Sequence, residues 1–191
     1  MNHFFAYVFR MRHILRWSLM RNAENENLSE HTAEVAVVAH ALAVIGNTYF
    51  GKRYDPDRAA SLALFHDAPE VLTGDLPTPI KYFSDEMRSA YRNIEDQAVG
   101  NLLDKLPSEM RATYASLLCP EASDAEEARL VKLADKLCAY IKCLTEEAGG
   151  NRDFLSAKKS IEEELRRKAC PELTYFCEHF LDGFSLTIDE M

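Results

Sequence analysis

The sequence lacks most of the features that mark secreted, membrane or repetitive proteins. Its 191 residues include only 7 Gly and 7 Pro, and no low-complexity or linker-like tract interrupts them. No apolar leader with a small-residue cleavage site opens the chain, so we expect no signal peptide. The longest apolar stretch, residues 33–46, contains Glu34 and His40 and is too short to cross a bilayer. These absences predict a cytoplasmic protein without a membrane partner.

Cysteine usage also argues against an extracellular protein. The five cysteines form no CxxC motif, and their number is odd. A disulfide framework would need paired cysteines, whereas reduced and mostly buried thiols are typical of the cytosol.

The chain has no surplus of positive charge. Its 22 Lys and Arg residues are outnumbered by 31 Asp and Glu residues, which gives a formal net charge of -9. A protein that grips a nucleic-acid backbone is expected to show a basic footprint, so a nucleic-acid polymer is not the expected partner. A small phosphorylated substrate held by one or two local cations remains compatible with this charge.

Apolar residues recur at helical spacing, and no segment shows the alternation of a strand. The sequence therefore predicts an all-α fold, with residues 1–191 forming a single domain of six or seven helices. On the helix that follows Ser29, which is apolar nearly all round, His40 is predicted to be a core residue. The expected helices cover about 2–14, 29–45 (N-cap Ser29, stop at Gly46-Asn47), 55–68 (N-cap Asp55), 85–105, a shorter one to 118, 123–148 (capping box Ser123–Glu126) and 153–180, interrupted at Pro171.

Four polar side chains fall on core-facing positions of three of these helices. They are His31, the pair His66-Asp67, and Asp135. Neighbouring residues of a helix lie about 100° apart around its axis, so His66 and Asp67 reach one point only near a helix end, which Pro69 provides. Buried polar groups need partners, and these four would satisfy one another around one divalent cation.

Each of these residues also has an ordinary explanation. A lone histidine on an apolar face is usually a hydrogen-bonded core residue, and Asp135 could cap a helix or pair with a neighbouring lysine. The ordered set favours a metal site, and mixed imidazole and carboxylate ligands suit Mn, Co, Zn or Fe(II). A structural zinc site would more often use thiolates.

The order H, HD, D is the signature of the HD superfamily of metal-dependent phosphohydrolases, which this sequence resembles. Longer segments resemble one family within it, the bacterial 5'-deoxynucleotidases of the YfbR type. Those segments are residues 16–21 (RWSLMR), 26–31 (ENLSEH), 66–82 (HDAPEVLTGDLPTPIKY) and 133–140 (LADKLCAY). One departure is Pro69, where we expect another residue in close relatives.

The resemblance implies a single HD domain that forms a homodimer and hydrolyses deoxyribonucleoside 5'-monophosphates to deoxynucleosides and phosphate. It implies one divalent ion held by His31, His66, Asp67 and Asp135. Arg16 would orient the phosphate, Trp17 would contact the sugar, and the loop from Asp75 to Thr78 would line the pocket. The predicted substrate-binding residues are Arg16, Trp17, His31, Asp67, Asp75, Leu76, Pro77, Thr78 and Asp135.

Three residues are predicted to act in catalysis. The planar guanidinium of Arg16 suits phosphate oxygens, although most arginines are solvated surface residues. Glu70 shares a face with His66 and Asp67 and could position the attacking water or handle protons, or it is a surface glutamate. Asp75 either binds the sugar hydroxyl or the water, or forms the Gly-Asp-Leu-Pro turn.

The single tryptophan, Trp17, would by default be a core residue, but beside Arg16 it is a plausible wall at C2'. Apolar walls reject an added hydroxyl only about a hundredfold, so we expect a finite preference for deoxyribose and weak discrimination among bases.

A second hypothesis for the function is another HD hydrolase, acting on a cyclic nucleotide or guanosine tetraphosphate. A third is a regulatory domain that binds metal or nucleotide without catalysis, and a purely structural metal site is the fourth.

Overall fold

Helices account for nearly all regular structure in the computed structural model, which describes residues 2–81 and 83–191 but not the side chain of Thr78. Within these residues the only bridge between extended segments joins Leu15 to Asn27, and the all-α prediction is confirmed. Short 3-10 helices cover Phe9–His13, Ala122–Asp124 and Leu181–Ser185. The α-helices are α1 (Phe4–Val8), α2 (Leu28–Tyr49), α3 (Pro56–Phe65), α4 (Glu70–Thr73), α5 (Thr78–Lys81), α6 (Asp85–Leu103), α7 (Ser108–Leu118), α8 (Ala125–Ala148), α9 (Leu155–Arg167) and α10 (Pro171–Phe180).

Side-chain caps determine where the main helices begin. Helix α2 starts two residues earlier than predicted, because Asn27 rather than Ser29 accepts the orphan amides of the first turn. Glu30 returns a hydrogen bond to the amide of Asn27 and completes a capping box. Asp55 caps α3 as predicted, by accepting from the amide of Arg58.

Two predicted helix signals were wrong. The reciprocal bonds before α8 link Glu121 and Asp124 in the preceding 3-10 turn, and not Ser123 with Glu126. Gly46 does not end α2, which continues to Tyr49. At Gly46 a Cβ atom would lie 2.5 Å from the ring of Tyr54, so this glycine allows close packing inside the helix.

Helix α2 lies at the centre of the main core, where it packs against α3, α8 and α10. By length and hydropathy alone α2 could cross a membrane, but 56% of its apolar window is buried within this fold. His40 lies on its exposed side, with 46% of the side chain accessible, so the prediction that it is a core residue was wrong. A second apolar cluster joins α1 and the start of α2 to α6, through residues such as Phe4, Leu28 and Leu102.

These packing contacts bring three points of the chain together. The N-terminal turn of α2, the C-terminal end of α3 and the middle of α8 meet, because α2 packs on both other helices. The segment 14–27 crosses this junction on its way from the first 3-10 helix to α2.

Candidate metal and substrate site

The His66-Asp67 pair lies just past the end of α3, where a helix end had been predicted. His66 Nδ1 lies 2.7 Å from the carbonyl oxygen of Ala63, to which an Nδ1–H donates. This leaves Nε2 as the unprotonated nitrogen, and among the described residues this buried atom has no hydrogen-bond partner. The chain then turns at Pro69, whose φ of -58° is helical and leads directly into α4. Pro69 therefore starts the next helix without displacing Glu70 from the site.

The other two predicted ligands come from α2 and α8. His31 is completely buried, and its Nε2 lies 3.0 Å from Asp135 Oδ1 and 3.8 Å from Asp67 Oδ2. Asp67 Oδ2 also lies 3.3 Å from His66 Nε2. His31, His66 and Asp67 each offer one possible ligand atom, and these three atoms lie within 4.8 Å of one another. The structure thus brings all four predicted ligand side chains to one place.

Charge interactions in this cluster are strong. Burial opposes protonation of His31, but the hydrogen bond to Asp135 and the nearby carboxylate of Glu26, 3.4 Å from Nδ1, outweigh it and raise the pKa of His31 to about 9. Burial would likewise raise the pKa of Asp135, but the contact with His31 dominates and holds it well below its usual range. In this arrangement a proton bridges the two ligand atoms, so an incoming cation would displace it.

The donor set fits a divalent transition ion. Two imidazoles and two carboxylates are ligands that such ions accept. The backbone carbonyl on His66 Nδ1 fixes the tautomer in which Nε2 has a free lone pair, as metal-bound histidines require. The unpaired, buried Nε2 is otherwise a costly feature.

A cavity of about 560 Å³ opens beside this cluster. Leu19, Met20, Lys81, Lys136 and residues of α9 including Ser160 and Ile161 also line it, and the sequence did not predict these. Thr78, which was also predicted to bind substrate, has its side chain outside the described part of the structure. The predicted residues that line the cavity are Arg16, Trp17, Asp67, Glu70, Asp75, Leu76, Pro77 and Asp135.

Arg16 is not a surface residue. Its side chain is 13% exposed, and Nη1 lies 3.4 Å from Asp67 Oδ2. Burial would lower its pKa, but the surrounding carboxylates, Asp67 first, raise it. Arg16 therefore presents a permanent positive charge at the edge of the candidate metal site.

Trp17 adopts a left-handed backbone conformation, with φ of 58°. This conformation is rare for a bulky residue and persists only where neighbours enforce it. The indole Nε1–H donates to Glu26 Oε2 at 2.8 Å, and the ring packs on Phe154 with centroids 5.3 Å apart. The result is a fixed aromatic wall beside Arg16.

Glu70 projects into the site from the first turn of α4. It is 6% exposed, and its Oε1 accepts a hydrogen bond from Lys81 Nζ at 2.9 Å. Burial raises the pKa of Glu70, the negative charge of Asp67 adds to this, and Lys81 opposes it. Its second oxygen, Oε2, is buried without a hydrogen-bond partner among the described residues. Glu70 also lines the cavity, so this unpaired oxygen belongs to a residue that borders it.

Sequence reasoning missed two residues that hold the site together, Glu26 and Lys81. Lys81 ends α5 and reaches back to Glu70 across the Gly74 turn, where a φ of 73° requires glycine. Glu26 lies in a polar loop, and no local pattern distinguishes such a glutamate from a solvated one. Only the quoted segments 26–31 and 66–82, which contain these residues, could have pointed to them.

Comparison with known proteins agrees with this site. The family described as 5'-deoxynucleotidase YfbR-like matches residues 3–184. A 5'-deoxynucleotidase of Vibrio cholerae is 49% identical over 190 residues, which span 100% of this chain and 98% of that protein. The 5'-deoxynucleotidase YfbR of Escherichia coli K12 is 50% identical over 190 residues, spanning 100% of this chain and 96% of that protein.

Solved structures share the fold at lower identity. An HD-domain phosphohydrolase from Listeria innocua has a TM-score of 0.81 at 19% identity and covers 95% of this chain and 88% of its own. The HD phosphohydrolase of cyanophage S-2L, bound to dA and one catalytic Zn²⁺, has a TM-score of 0.68 at 21% identity, with 93% and 96% covered. With a family match over nearly the whole chain and relatives near 50% identity, this chain belongs to the YfbR-like 5'-deoxynucleotidase family.

Proposed function

We propose that this chain is a metal-dependent 5'-deoxynucleotidase, which hydrolyses deoxyribonucleoside 5'-monophosphates to deoxyribonucleosides and phosphate. The observation that carries the proposal is the convergence of His31, His66, Asp67 and Asp135 beside Arg16, next to a cavity that Arg16, Asp67 and Asp135 line. The name and activity of its full-length relatives support the same conclusion.

One divalent ion, such as Zn, Co or Mn, would be held by the four ligand side chains. When bound, it would neutralise phosphate charge and lower the pKa of water. The unpaired Nε2 of His66 and the clustered oxygens of Asp67 and Asp135 support this assignment. The Zn²⁺ in the phage HD phosphohydrolase agrees with it.

Arg16 would bind the phosphate. Its guanidinium faces Asp67, so a phosphate next to the ligand cluster would come within its reach. Two parallel N–H donors suit two phosphate oxygens. Asp67 and Asp135, which line the cavity, would border the same phosphate. His31, which is completely buried, would act on it only through the ion.

Glu70 would handle the proton of the attacking water. Hydrolysis joins a water oxygen to phosphorus and breaks the bond from phosphorus to O5', which leaves with a proton on the deoxynucleoside. Glu70 Oε2 has no hydrogen-bond partner among the described residues, while Lys81 fixes Oε1. Asp75, which borders the same cavity, would assist by holding the water or the 3'-hydroxyl.

The sugar would lie between Trp17 and the loop of Asp75, Leu76, Pro77 and Thr78. An aromatic wall at C2' leaves an added hydroxyl without a partner, which favours deoxyribose by up to about a hundredfold. The fixed orientation of Trp17 supports this placement.

The remaining parts of the proposal concern the whole chain. We expect residues 1–191 to form one HD domain that acts in the cytoplasm as a homodimer, and the resemblance to the family supports this. On the face of α6 with Tyr91, Ile94, Ala98 and Leu102, Ile94 is 49% exposed and the other three are buried within the chain. Light scattering of the purified protein measures the oligomeric state directly.

The test is phosphate release from dAMP, dTMP, AMP, deoxyadenosine 3'-monophosphate and a phosphodiester, with Mn²⁺ or Co²⁺ present. Wild type is compared with Asp67→Ala and with Asp57→Ala. Asp57 lies on α3 with its side chain 99% exposed, so it controls for loss of a carboxylate on the same helix. We expect release from the deoxy 5'-monophosphates, lost in Asp67→Ala and retained in Asp57→Ala.

Other outcomes separate the alternatives. Turnover of the diester without monoester hydrolysis would identify another HD phosphohydrolase. Nucleotide binding by a metal-loaded but inert protein would indicate the regulatory domain.

A further inference from the structure

Glu26 is a buried carboxylate whose partners are all residues of the site. Only 7% of the residue is exposed, although it lies in the loop that precedes α2. Its Oε2 accepts from Trp17 Nε1 at 2.8 Å and lies 3.4 Å from Arg16 Nε. Its Oε1 lies 3.4 Å from His31 Nδ1.

The backbone of Glu26 takes part in the same arrangement. Its carbonyl oxygen accepts a hydrogen bond from the amide of Arg16 at 2.9 Å. The two ends of this loop therefore approach each other at Glu26, whose side chain also contacts Arg16 and Trp17. Asn27, the next residue, caps α2 and so fixes the position of the first helical turns, which carry His31.

The two carboxylate oxygens face different parts of the proposed machinery. Oε1 faces the nitrogen of His31 that is turned away from Asp67 and Asp135, while Oε2 faces the aromatic wall and the phosphate-binding arginine. A buried carboxylate is costly unless its partners are charged or donate hydrogen bonds. Among the described residues, Arg16, Trp17 and His31 are the side chains within hydrogen-bond or ion-pair distance of Glu26.

We propose that Glu26 is a positioning residue that couples the metal site to the sugar wall, by orienting His31 with one oxygen and Trp17 with the other. The metal half of this proposal stands on the ligand geometry, and the selectivity half rests on the proposed function.

The physical reason differs for the two halves. A carboxylate on the outer nitrogen of a metal-binding histidine keeps the proton there, leaves the inner nitrogen free and fixes the plane of the ring; removing such a partner weakens metal binding about 10–100-fold. Trp17 has an unfavourable positive φ, which persists only if contacts hold it. The indole nitrogen of Trp17 donates its hydrogen bond to Glu26.

The test compares Glu26→Gln with Glu24→Gln, since both remove one carboxylate from the same loop. Glu24 is exposed, so its variant controls for the loss of charge. Trp17 is the only tryptophan in the chain, so emission excited at wavelengths that tyrosine does not absorb reports on it alone. Three quantities are measured: emission of the metal-free protein, affinity for Zn²⁺ by calorimetry, and the ratio of kcat/KM for dAMP to that for AMP.

We expect Glu26→Gln to change the Trp17 emission, to weaken Zn²⁺ binding about 10–100-fold, and to lower the dAMP to AMP ratio. Glu24→Gln should match wild type in all three. Wild-type emission and a Zn²⁺ affinity within about twofold in Glu26→Gln would overturn the proposal. Because emission and Zn²⁺ binding need no substrate, a protein that releases no phosphate at all could still show the positioning role.

A second variant covers the case in which Glu26→Gln does not fold. Trp17→Phe removes the indole donor and leaves every proposed metal ligand in place. If Glu26 couples the two sites, Trp17→Phe should alter the Zn²⁺ affinity at least about threefold, because Glu26 Oε2 loses the hydrogen bond from the indole. An unchanged affinity would show that the two halves act independently.

Discussion

Trp17 combines a strained backbone with a fixed side chain. A φ of 58° in a bulky residue costs on the order of 1–3 kcal/mol, and the bond to Glu26 and the contact with Phe154 offset that cost. Strain that persists at the mouth of a cavity is a feature expected of functional sites.

Replacing this side chain tests its proposed part in sugar selection. Trp17→Ala should reduce the preference for dAMP over AMP from up to about a hundredfold towards unity, because the cavity would then accept a 2'-hydroxyl beside water. The ratio of kcat/KM for the two nucleotides measures this. If the ratio is retained, the sugar is selected elsewhere in the cavity.

Two glycines within helices have opposite surroundings. A Cβ atom at Gly46 would lie 2.5 Å from Tyr54 Cε2, whereas at Gly100 of α6 nothing lies within 4 Å. The ring of Tyr54 cannot move away easily, since its hydroxyl is held by Glu172 and Arg129.

The same substitution should therefore have opposite effects. Gly46→Ala should lower the free energy of unfolding by about 2 kcal/mol through overpacking. Gly100→Ala should raise it by about 0.5–1 kcal/mol, because alanine loses less backbone entropy in a helix. Urea denaturation of both variants measures the difference. Equal destabilisation would mean that α6 needs Gly100 for a contact outside the chain.

The segment 14–27, which carries Arg16, Trp17 and Glu26, is secured by the far end of α8. Glu146 accepts from the amides of Ala23 and Glu24 at 2.9 and 3.2 Å, and Lys142 and Asn151 bind the same carboxylate. Burial raises the pKa of Glu146, but these hydrogen bonds outweigh it and lower the pKa from 4.5 to about 2.

This contact should be visible in stability and in its pH dependence. Glu146→Ala leaves two amides unpaired and should cost about 3 kcal/mol near neutral pH. Since the folded pKa is the lower one, the contribution is present above about pH 4.5 and is lost as the pH falls towards 2. The gap between wild type and variant in urea denaturation should therefore narrow from about pH 7 to about pH 3.5.

The adjacent residue provides the control. Glu147 pairs with Lys158 at the surface, with 42% of its side chain exposed, and Glu147→Ala should cost less than about 1 kcal/mol. If Glu147→Ala were as damaging as Glu146→Ala, the end of α8 would matter through helix stability and not through the loop.

Of the helix start signals, Asp55 was right, while Asn27 and the Glu121–Asp124 turn took the places predicted for Ser29 and for Ser123–Glu126. Tertiary packing explains two other errors, at Gly46 and His40. Asp55-Pro56 caps α3 as predicted, because its hydrogen bond involves residues three apart. Gly46 resembles a stop signal, yet its purpose is set by Tyr54, eight residues away and outside the helix. His40 lies on an apolar helix but on its one exposed side, which spacing alone did not identify.

In the candidate site too, some residues could be predicted from local sequence and others could not. His31, His66, Asp67 and Asp135 were predictable because each interrupts an apolar helical face. Glu26 and Lys81 were not, since a glutamate or lysine in a polar segment has the same local sequence whether solvated or buried. Their partners, Trp17 and Glu70, come close only once the loops have folded.

The four proposed metal ligands come from α2, the end of α3 and α8. These three helices also form most of the main core, so an ion bound to all of them would link core packing to occupancy of the site. A ligand that binds only the folded state stabilises it according to its concentration and affinity.

We therefore expect Zn²⁺ at a hundred times its Kd to raise the free energy of unfolding by about 2.7 kcal/mol. Asp135→Ala should abolish this increase, because it removes the ligand contributed by α8 and leaves His31 Nε2 without its 3.0 Å partner. Asp57→Ala, which changes an exposed carboxylate, should retain it. Urea denaturation with and without Zn²⁺ measures the effect. An equal increase in Asp135→Ala would place the ion elsewhere on the protein, because a site that uses the Asp135 carboxylate would bind Zn²⁺ more weakly without it.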